Sequence, residues 1–400
     1  MVSSPLTRSE QADLPCGCRP VGSALGSKTI AQRLIPWTTD ALKPDLQLVL
    51  AATRTAEHPG ISAAGCTPEA RRITALADAE LLLRGPRAAR RWTLPPLPAG
   101  VSPALLSWVV VEALALNPHV VALGLPLPAD FPHLRLESAS FGPAQCLSSG
   151  RAMSVERVMR LRQQGERQGC RLQHPLVLAE CVPGGTTTAQ AVLAALGMGV
   201  DGLISGSARL LPHRLKADLV ALGRKRSHLE PSACADQVLA ALGDPFQAYA
   251  FGLLVGAAHS STPVPLLLGG GSQMIAVLAL ALRALPVDQR ARLSQQTVVG
   301  TTAWLAGETG LDGAETLPRL VDTVSEHCGT PIAVVASGVR FNGSRHQALR
   351  DFEDGYVKEG VGAGALLLLA QLQGIALDSL VQHCDRAMDG LVSPPVGSDA

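Results

Sequence analysis

The chain has 400 residues, 47% of them hydrophobic and 17% charged, so it can bury a large core and is not disordered as a whole. Acidic and basic side chains nearly cancel at a formal net charge of +1, which excludes a broad electrostatic footprint for nucleic acid, and aromatics at 3% exclude a stacking platform for single strands. Nine cysteines, odd in number and scattered, exclude a disulfide framework and fit idle thiols in a reducing cytoplasm.

Residues 1–42 are punctuated by Pro, Gly and Ser and read as a partly flexible arm with at most a short helix. The first 30 residues carry no apolar segment of the secretory kind, so a cytoplasmic protein is expected. Cys16 and Cys18 lie in this arm without a second Cys/His pair at zinc spacing, and no metal site is expected. Beyond it, short aliphatic runs alternate with longer helical patterns, the rhythm of repeated βα units. Strands are expected at 46–51, 119–123, 176–179, 202–205, 265–268, 296–300 and 332–336. Helices are expected at 102–116, 154–169, 187–196, 214–222, 273–284, 317–328 and 362–372, with Ser154 as an N-cap. The stretch 245–282 carries no Asp, Glu, Lys or Arg. The run His259-Ser260-Ser261-Thr262-Pro263 and the triple glycine cut it into pieces too short for a membrane span, so it reads as buried core. Residues 391–400 read as a flexible tail.

The expected fold is α/β: a mostly parallel Rossmann-like sheet with helices on both faces, forming one domain over 43–390, and a small helical subdomain from the chain ends. Ligands of such sheets bind beyond the carboxyl ends of the strands.

Four segments at such ends carry chemistry. In Leu176-Val177-Leu178-Ala179-Glu180-Cys181-Val182-Pro183-Gly184-Gly185-Thr186-Thr187-Thr188 an apolar strand ends at a carboxylate, and glycines and threonines open a helix. Glycines let the backbone approach an anion, and helix-start amides and threonine hydroxyls donate to it, so Gly184, Gly185, Thr186, Thr187 and Thr188 form a candidate phosphate cradle. The P-loop lysine and the dinucleotide spacing are both missing, which favours a monophosphate over a triphosphate or dinucleotide. Glu180 beside an anion site needs a hydroxyl or a developing cation to bond, and ribose supplies both. A second loop, Gly269-Gly270-Gly271, either closes on the same phosphosugar or serves close helix–strand packing. A third, Ser205-Gly206-Ser207, leads towards Lys216, notable in a chain whose only lysines are Lys28, Lys43, Lys216, Lys225 and Lys358. The last, Lys358-Glu359-Gly360-Val361-Gly362, places Glu359 at a glycine-rich helix start as either a general base or an ordinary acidic first-turn residue. The turn His58–Gly65 either lines a flat ring-binding pocket or packs tightly.

Together these segments resemble the nicotinate-nucleotide:dimethylbenzimidazole phosphoribosyltransferase family of cobamide biosynthesis, and look closest to its divergent archaeal and cyanobacterial branch. Ala179–Thr188 is similar in plan to the family's Gly-Glu-Met-Gly-Ile-Gly-Asn-Thr-Thr segment, with Cys181-Val182-Pro183 replacing Met-Gly-Ile and Gly185 standing for the Asn. Lys358–Ala363 occupies the place of Gly-Glu-Gly-Thr-Gly-Ala, whose Glu is the proposed general base, and the Gly-Gly loop corresponds to Gly269–Gly271. His58–Gly65, Asp78-Ala79-Glu80 and the Ser-rich stretch before Lys216 resemble the divergent branch, so the likeness spans roughly 44–372.

The resemblance implies phosphoribosyl transfer from nicotinate mononucleotide, a substrate and not a cofactor, to dimethylbenzimidazole or adenine. Glu359 and Glu180 would be the catalytic pair. The phosphoribosyl group would be held by Gly184–Thr188, Gly269–Gly271, Ser205, Ser207 and Lys216. No metal, nucleic acid or membrane partner is implied, and a homodimer is. A different sugar-phosphate or nucleotide enzyme on the same scaffold, or a non-catalytic nucleotide-binding partner of the pathway, stays open beside this reading.

Overall fold

The computed structural model describes residues 13–38 and 43–392. Its eight strands are β1 (Arg19–Pro20), β2 (Asp45–Ala51), β3 (Pro118–Leu123), β4 (Leu134–Arg135), β5 (Leu176–Cys181), β6 (Leu266–Gly269), β7 (Thr297–Thr301) and β8 (Ala333–Ala336). They form one sheet in the order β1-β8-β7-β6-β5-β2-β3-β4. Every pairing is parallel except that of β1 with β8. The fold is therefore α/β with a mostly parallel sheet, as the alternating pattern requires.

Both faces are covered. Along β2, Leu46, Leu48 and Leu50 enter one hydrophobic core while Val49 and Ala51 enter the other. In β5, Val177 and Ala179 join the first core and Leu176 and Leu178 the second. This is the period of two that a strand imposes, with apolar residues on both sides because both sides are buried. The first core is closed by helices Pro68–Arg84, Ala104–Ala113, Ala363–Leu372 and Leu377–Val392, the second by Val155–Gly169, Gly185–Ala195, Pro245–His259 and Ser272–Ala284.

The uncharged stretch 245–282 becomes helix Pro245–His259, strand β6 and most of helix Ser272–Ala284, buried almost throughout. Glycines set how closely the first of these approaches its neighbour. A Cβ on Gly165 would lie 2.1 Å from the Tyr249 carbonyl oxygen, and one on Gly252 would lie 2.0 Å from that of Arg162. Only glycine permits that backbone contact between Val155–Gly169 and Pro245–His259. Among the described residues no helix is long and apolar enough to cross a membrane.

Two expectations meet a correction. The strand expected at 202–205 is a turn followed by irregular chain. Both neighbours of β5 in the sheet are already β2 and β6, and Leu203 and Ile204 bury themselves in the helix layer instead. Helices Pro68–Arg84, Ala235–Leu242, Pro245–His259, Val287–Gln296 and Leu377–Val392 are not among those expected from the sequence pattern. Pro245–His259 is apolar on every side, so it shows no helical periodicity.

At the chain ends, β1 adds an antiparallel edge to the sheet. Helix Ser27–Leu34 buries Ile30, Ala31 and Leu34. Helix Leu377–Val392 takes in the first two residues of the expected tail, and residues 393–400 lie outside the described residues, as do 1–12 and 39–42 of the arm.

Connections run β2 to β3 in one direction and β5 through β8 in the other, so the order reverses between β2 and β5. A crevice opens at such a reversal, beyond the carboxyl ends.

Candidate active site

That crevice is a cavity of about 820 Å³ counted out to its open mouth. Its walls come from five strand ends: Ser62 and Ala64 after β2, Glu180–Thr186 at β5, Gly271–Gln273 after β6, Leu305 after β7 and Val357–Gly360 after β8. The loop after β2 is shaped by buried Arg71, whose guanidinium donates only to backbone carbonyls. Its Nε donates to the Ala56 carbonyl (2.5 Å), Nη1 to those of Ser62 (3.3 Å) and Gly65 (2.9 Å), and Nη2 to that of His58 (3.0 Å).

Glu180 and Glu359 both line this cavity. The Val361 N–H donates to the Glu180 carbonyl at 3.0 Å and so ties the two segments together. Burial, followed by the charges of Asp244 and Glu359, pushes the Glu180 carboxyl up to about 8. Glu359 is clamped. Its Oε1 accepts from the N–H groups of Gly360 and Gly364 (3.1 Å each), and its Oε2 from the Thr302 N–H (2.9 Å) and the Thr301 hydroxyl (3.3 Å). Burial outweighs these four donors and pushes this carboxyl up to about 7.

The clamp sits on strained backbone. Val357, Lys358 and Val361 have φ of 62°, 54° and 52°, in the left-handed region that a β-branched residue such as Val357 rarely visits. Lys358 and Glu359 donate their N–H groups only two residues back, to the carbonyls of Tyr356 (2.6 Å) and Val357 (2.7 Å). Such strain persists where surroundings over-determine it. Here the buried Lys358 ammonium pairs with Glu308 at 2.8 Å and donates to the Ala208 carbonyl at 2.9 Å, while the Thr302 hydroxyl donates to the Lys358 carbonyl at 2.6 Å.

Small hydroxyls line the same cavity. Gly184, at φ 83°, opens helix Gly185–Ala195, and a Cβ there would meet the Ala56 nitrogen at 2.9 Å. Thr186 faces the cavity, and its hydroxyl accepts from Lys216 Nζ at 3.0 Å. Lys216, 1% exposed, also donates to the Ser205 carbonyl at 2.5 Å, and burial lowers its ammonium to about 7. The Ser207 hydroxyl bonds that of Ser62 (3.1 Å) and accepts from the Ala63 N–H (2.8 Å).

One cavity thus unites Glu180, Glu359, Gly184, Gly185, Thr186, Ser205, Ser207 and Gly271, with Lys216 just behind Thr186. Thr187, Thr188, Gly269 and Gly270 lie outside its lining. The Thr188 hydroxyl donates to buried Asp244 at 2.6 Å. Thr187 is fully buried, and a Cβ on Gly269 would stand 2.7 Å from the Gly362 Cα, which is close helix–strand packing. Asp244, whose charge acts on Glu180, is missing from the sequence reading. Its one visible signal, Asp244-Pro245 with Gln247 at the third helical position, announces a capping box and nothing about a site.

Relatives match this chain over almost its whole length. A UPF0284 protein of Parasynechococcus marenigrum (strain WH8102) is 57% identical over 396 residues, covering 99% of both chains. The chain belongs to the UPF0284 family. A second UPF0284 member, from Prochlorococcus marinus (strain MIT 9313), is 53% identical over 383 residues (95% of this chain, 94% of that one), and one from Gloeobacter violaceus is 42% identical over 385 (94% and 97%). No family model matches the chain. Among solved structures, this UPF0284 chain shares its fold with CobT from Thermus thermophilus at a TM-score of 0.56 and 18% identity, over 89% of this chain and 88% of that one. A second structure, of nicotinate-nucleotide-dimethylbenzimidazole phosphoribosyltransferase from the same organism, gives 0.56 at 19% identity with the same coverage.

Proposed function

We propose that this protein transfers the phosphoribosyl group of nicotinate mononucleotide to a cobamide lower-ligand base, giving an α-ribotide and free nicotinate. The observation that carries this reading is the meeting of Glu180 and Glu359 in one cavity that is also lined by Thr186, Ser205 and Ser207, with Lys216 behind Thr186. The fold shared with the nicotinate-nucleotide-dimethylbenzimidazole phosphoribosyltransferase of Thermus thermophilus supports it.

The 5′-phosphate lies at the helix start Gly184–Thr186 and the serine loop, which fixes the ribose over the strand ends. The bond from the anomeric carbon to the nicotinate nitrogen breaks with its electron pair going to that nitrogen, so the pyridinium leaves as neutral pyridine. Glu180 bonds the ribose hydroxyls, and the cationic donor together with the developing oxocarbenium charge favours its ionised form. An imidazole-type nitrogen of the base forms the new bond, and its ring proton passes to Glu359, entering at Oε2 where the Thr301 contact is the longest of the four. A carboxyl near 7 suits a base working at neutral pH. Nothing in this balance calls for a resident cofactor or metal. A cytoplasmic homodimer belongs to the same proposal, and its oligomeric state is checked by sedimentation.

Incubation with nicotinate mononucleotide and a panel of bases is expected to release nicotinate and form an α-ribotide. Binding of the nucleotide with no turnover on any base would overturn the enzymatic reading in favour of a non-catalytic nucleotide-binding protein.

A further inference from the structure

A separate chamber of about 1350 Å³, counted out to its mouth, shares no lining residue with the candidate active site. It is formed where helix Pro68–Arg84 ends, together with residues of helices Ala104–Ala113 and Leu377–Val392. Thr74 of the first helix lines the active-site cavity and Arg84 of the same helix lines this chamber, about 15 Å further along the axis. Two glycines shape the chamber. Gly85, at φ 80°, ends the helix, and a Cβ there would stand 2.8 Å from the Trp108 Nε1, so only glycine lets the indole lie against that turn. A Cβ on Gly390 would stand 2.9 Å from the Arg87 Cγ, so a glycine also lets Arg87 lie against helix Leu377–Val392.

The wall is apolar at Val109, Ile375 and Ala387 and aromatic at Trp108, but its charges are unbalanced: Arg84, Arg87 and Arg386 against Glu112 alone. Arg84 is engaged, pairing with Glu80 at 2.6 Å. Arg87 and Arg386 form no ion pair among the described residues. Nor is Arg87 needed to cap the helix end, because Arg90 donates to the carbonyls of Gly85 (3.2 Å) and Pro86 (3.0 Å). His383 also lines the chamber, and its Nδ1 is buried with no hydrogen-bond partner. Burial, followed by the charge of Arg386, holds this imidazole below its ordinary 6.5. Two unpaired guanidiniums and an unsatisfied imidazole nitrogen lack an anion, and a guanidinium matches a carboxylate through two parallel hydrogen bonds.

We propose that this chamber is a second ligand site, separate from the catalytic crevice, for a flat aromatic carboxylate: the ring packs on Trp108 and the aliphatic wall, and the carboxylate accepts from Arg87 and Arg386. Each half supplies what the other lacks. Exposed arginines alone hold an anion weakly in water, and an apolar wall alone does not choose a charged ring over a neutral one.

Calorimetric titration of the full chain at pH 8 and low salt with naphthoate, naphthalenemethanol and acetate tests this. Naphthoate is expected to bind at least about tenfold more tightly than the neutral alcohol, which has the ring without the charge, and acetate, which has the charge without the ring, to give no measurable heat. Arg87→Ala and Arg386→Ala, both exposed side chains, are each expected to weaken naphthoate by about tenfold and to leave the alcohol unchanged. Glu112→Gln removes the one opposing charge and is expected to tighten naphthoate. Ala113→Trp fills the chamber and is expected to weaken naphthoate and the alcohol alike. Equal affinities for naphthoate and the alcohol, or no binding of naphthoate, would overturn the proposal. So would naphthoate binding that neither arginine substitution weakens, which would place the ligand elsewhere on the chain. Should Ala113→Trp not fold, the wild-type series and the two arginine variants still decide.

Discussion

The two segments that bring carboxylates into the cavity solve opposite problems. After β5 the chain turns through Pro183 and Gly184 into a helix, and Glu180 keeps few donors, so burial and neighbouring charge leave its carboxyl near 8. After β8 the chain passes through three left-handed non-glycine residues and surrounds the Glu359 carboxyl with four donors. Position in the cavity and freedom to titrate are thus separate properties. Glu359 is positioned rigidly and Glu180 is electrostatically responsive, which fits a proton acceptor whose geometry must not drift and a partner that answers developing charge.

Substitutions on either segment test this division of labour. The largest effect is expected for Glu359→Gln, which keeps the shape and loses the base: kcat should fall by about 10²–10⁴-fold with little change in KM for nicotinate mononucleotide. An unchanged kcat would remove Glu359 from the chemistry. Next comes Lys216→Met, which strips Thr186 of its ammonium partner. It should raise KM for the nucleotide by about 10-fold and affect kcat less, as loss of uniform binding does. Gly184→Ala should lower stability by about 1–3 kcal/mol, because φ is 83° and the added Cβ meets the Ala56 nitrogen; denaturant melts read this directly.

The pH profile separates the two carboxylates further. A base with a carboxyl near 7 makes kcat rise with pH through about 7 and level above it, and Glu359→Asp should move that limb. The smallest effect is on stability. Both carboxyls have folded values raised above the ordinary 4.5, so the folded chain holds their protons more tightly than the unfolded one. Their favourable contribution is complete below about 4.5 and is lost as pH rises through about 7 and 8. Glu180→Gln should therefore melt higher than the parent at pH 9, with the gap closing by pH 4. A constant gap would show that Glu180 is not perturbed.

Much of this is legible in the chain. Six of the seven expected strands are present, because short aliphatic runs ending in Gly, Ser or Thr leave few alternatives in a sheet buried on both sides. Ser154 caps its helix by accepting from the Arg157 N–H at 3.2 Å. The run at 202–205 misleads because a short segment centred on Leu203 and Ile204 looks the same whether it pairs in a sheet or plugs a helix layer. Within the cradle, three consecutive threonines cannot be told apart in advance: the helix turns about 100° per residue, so Thr186 meets the cavity while Thr188 reaches Asp244.

The α/β alternation, the glycine turns at strand ends and the residue types that meet an anion all follow from neighbours within a few positions, and so were written in the chain itself. That 180 and 359 share a cavity, that Asp244 lends its charge to Glu180, and that Arg87 and Arg386 line one chamber with Trp108 became visible only in three dimensions. Those outcomes depend on strand order and helix docking, where contacts between distant segments set burial and electrostatics.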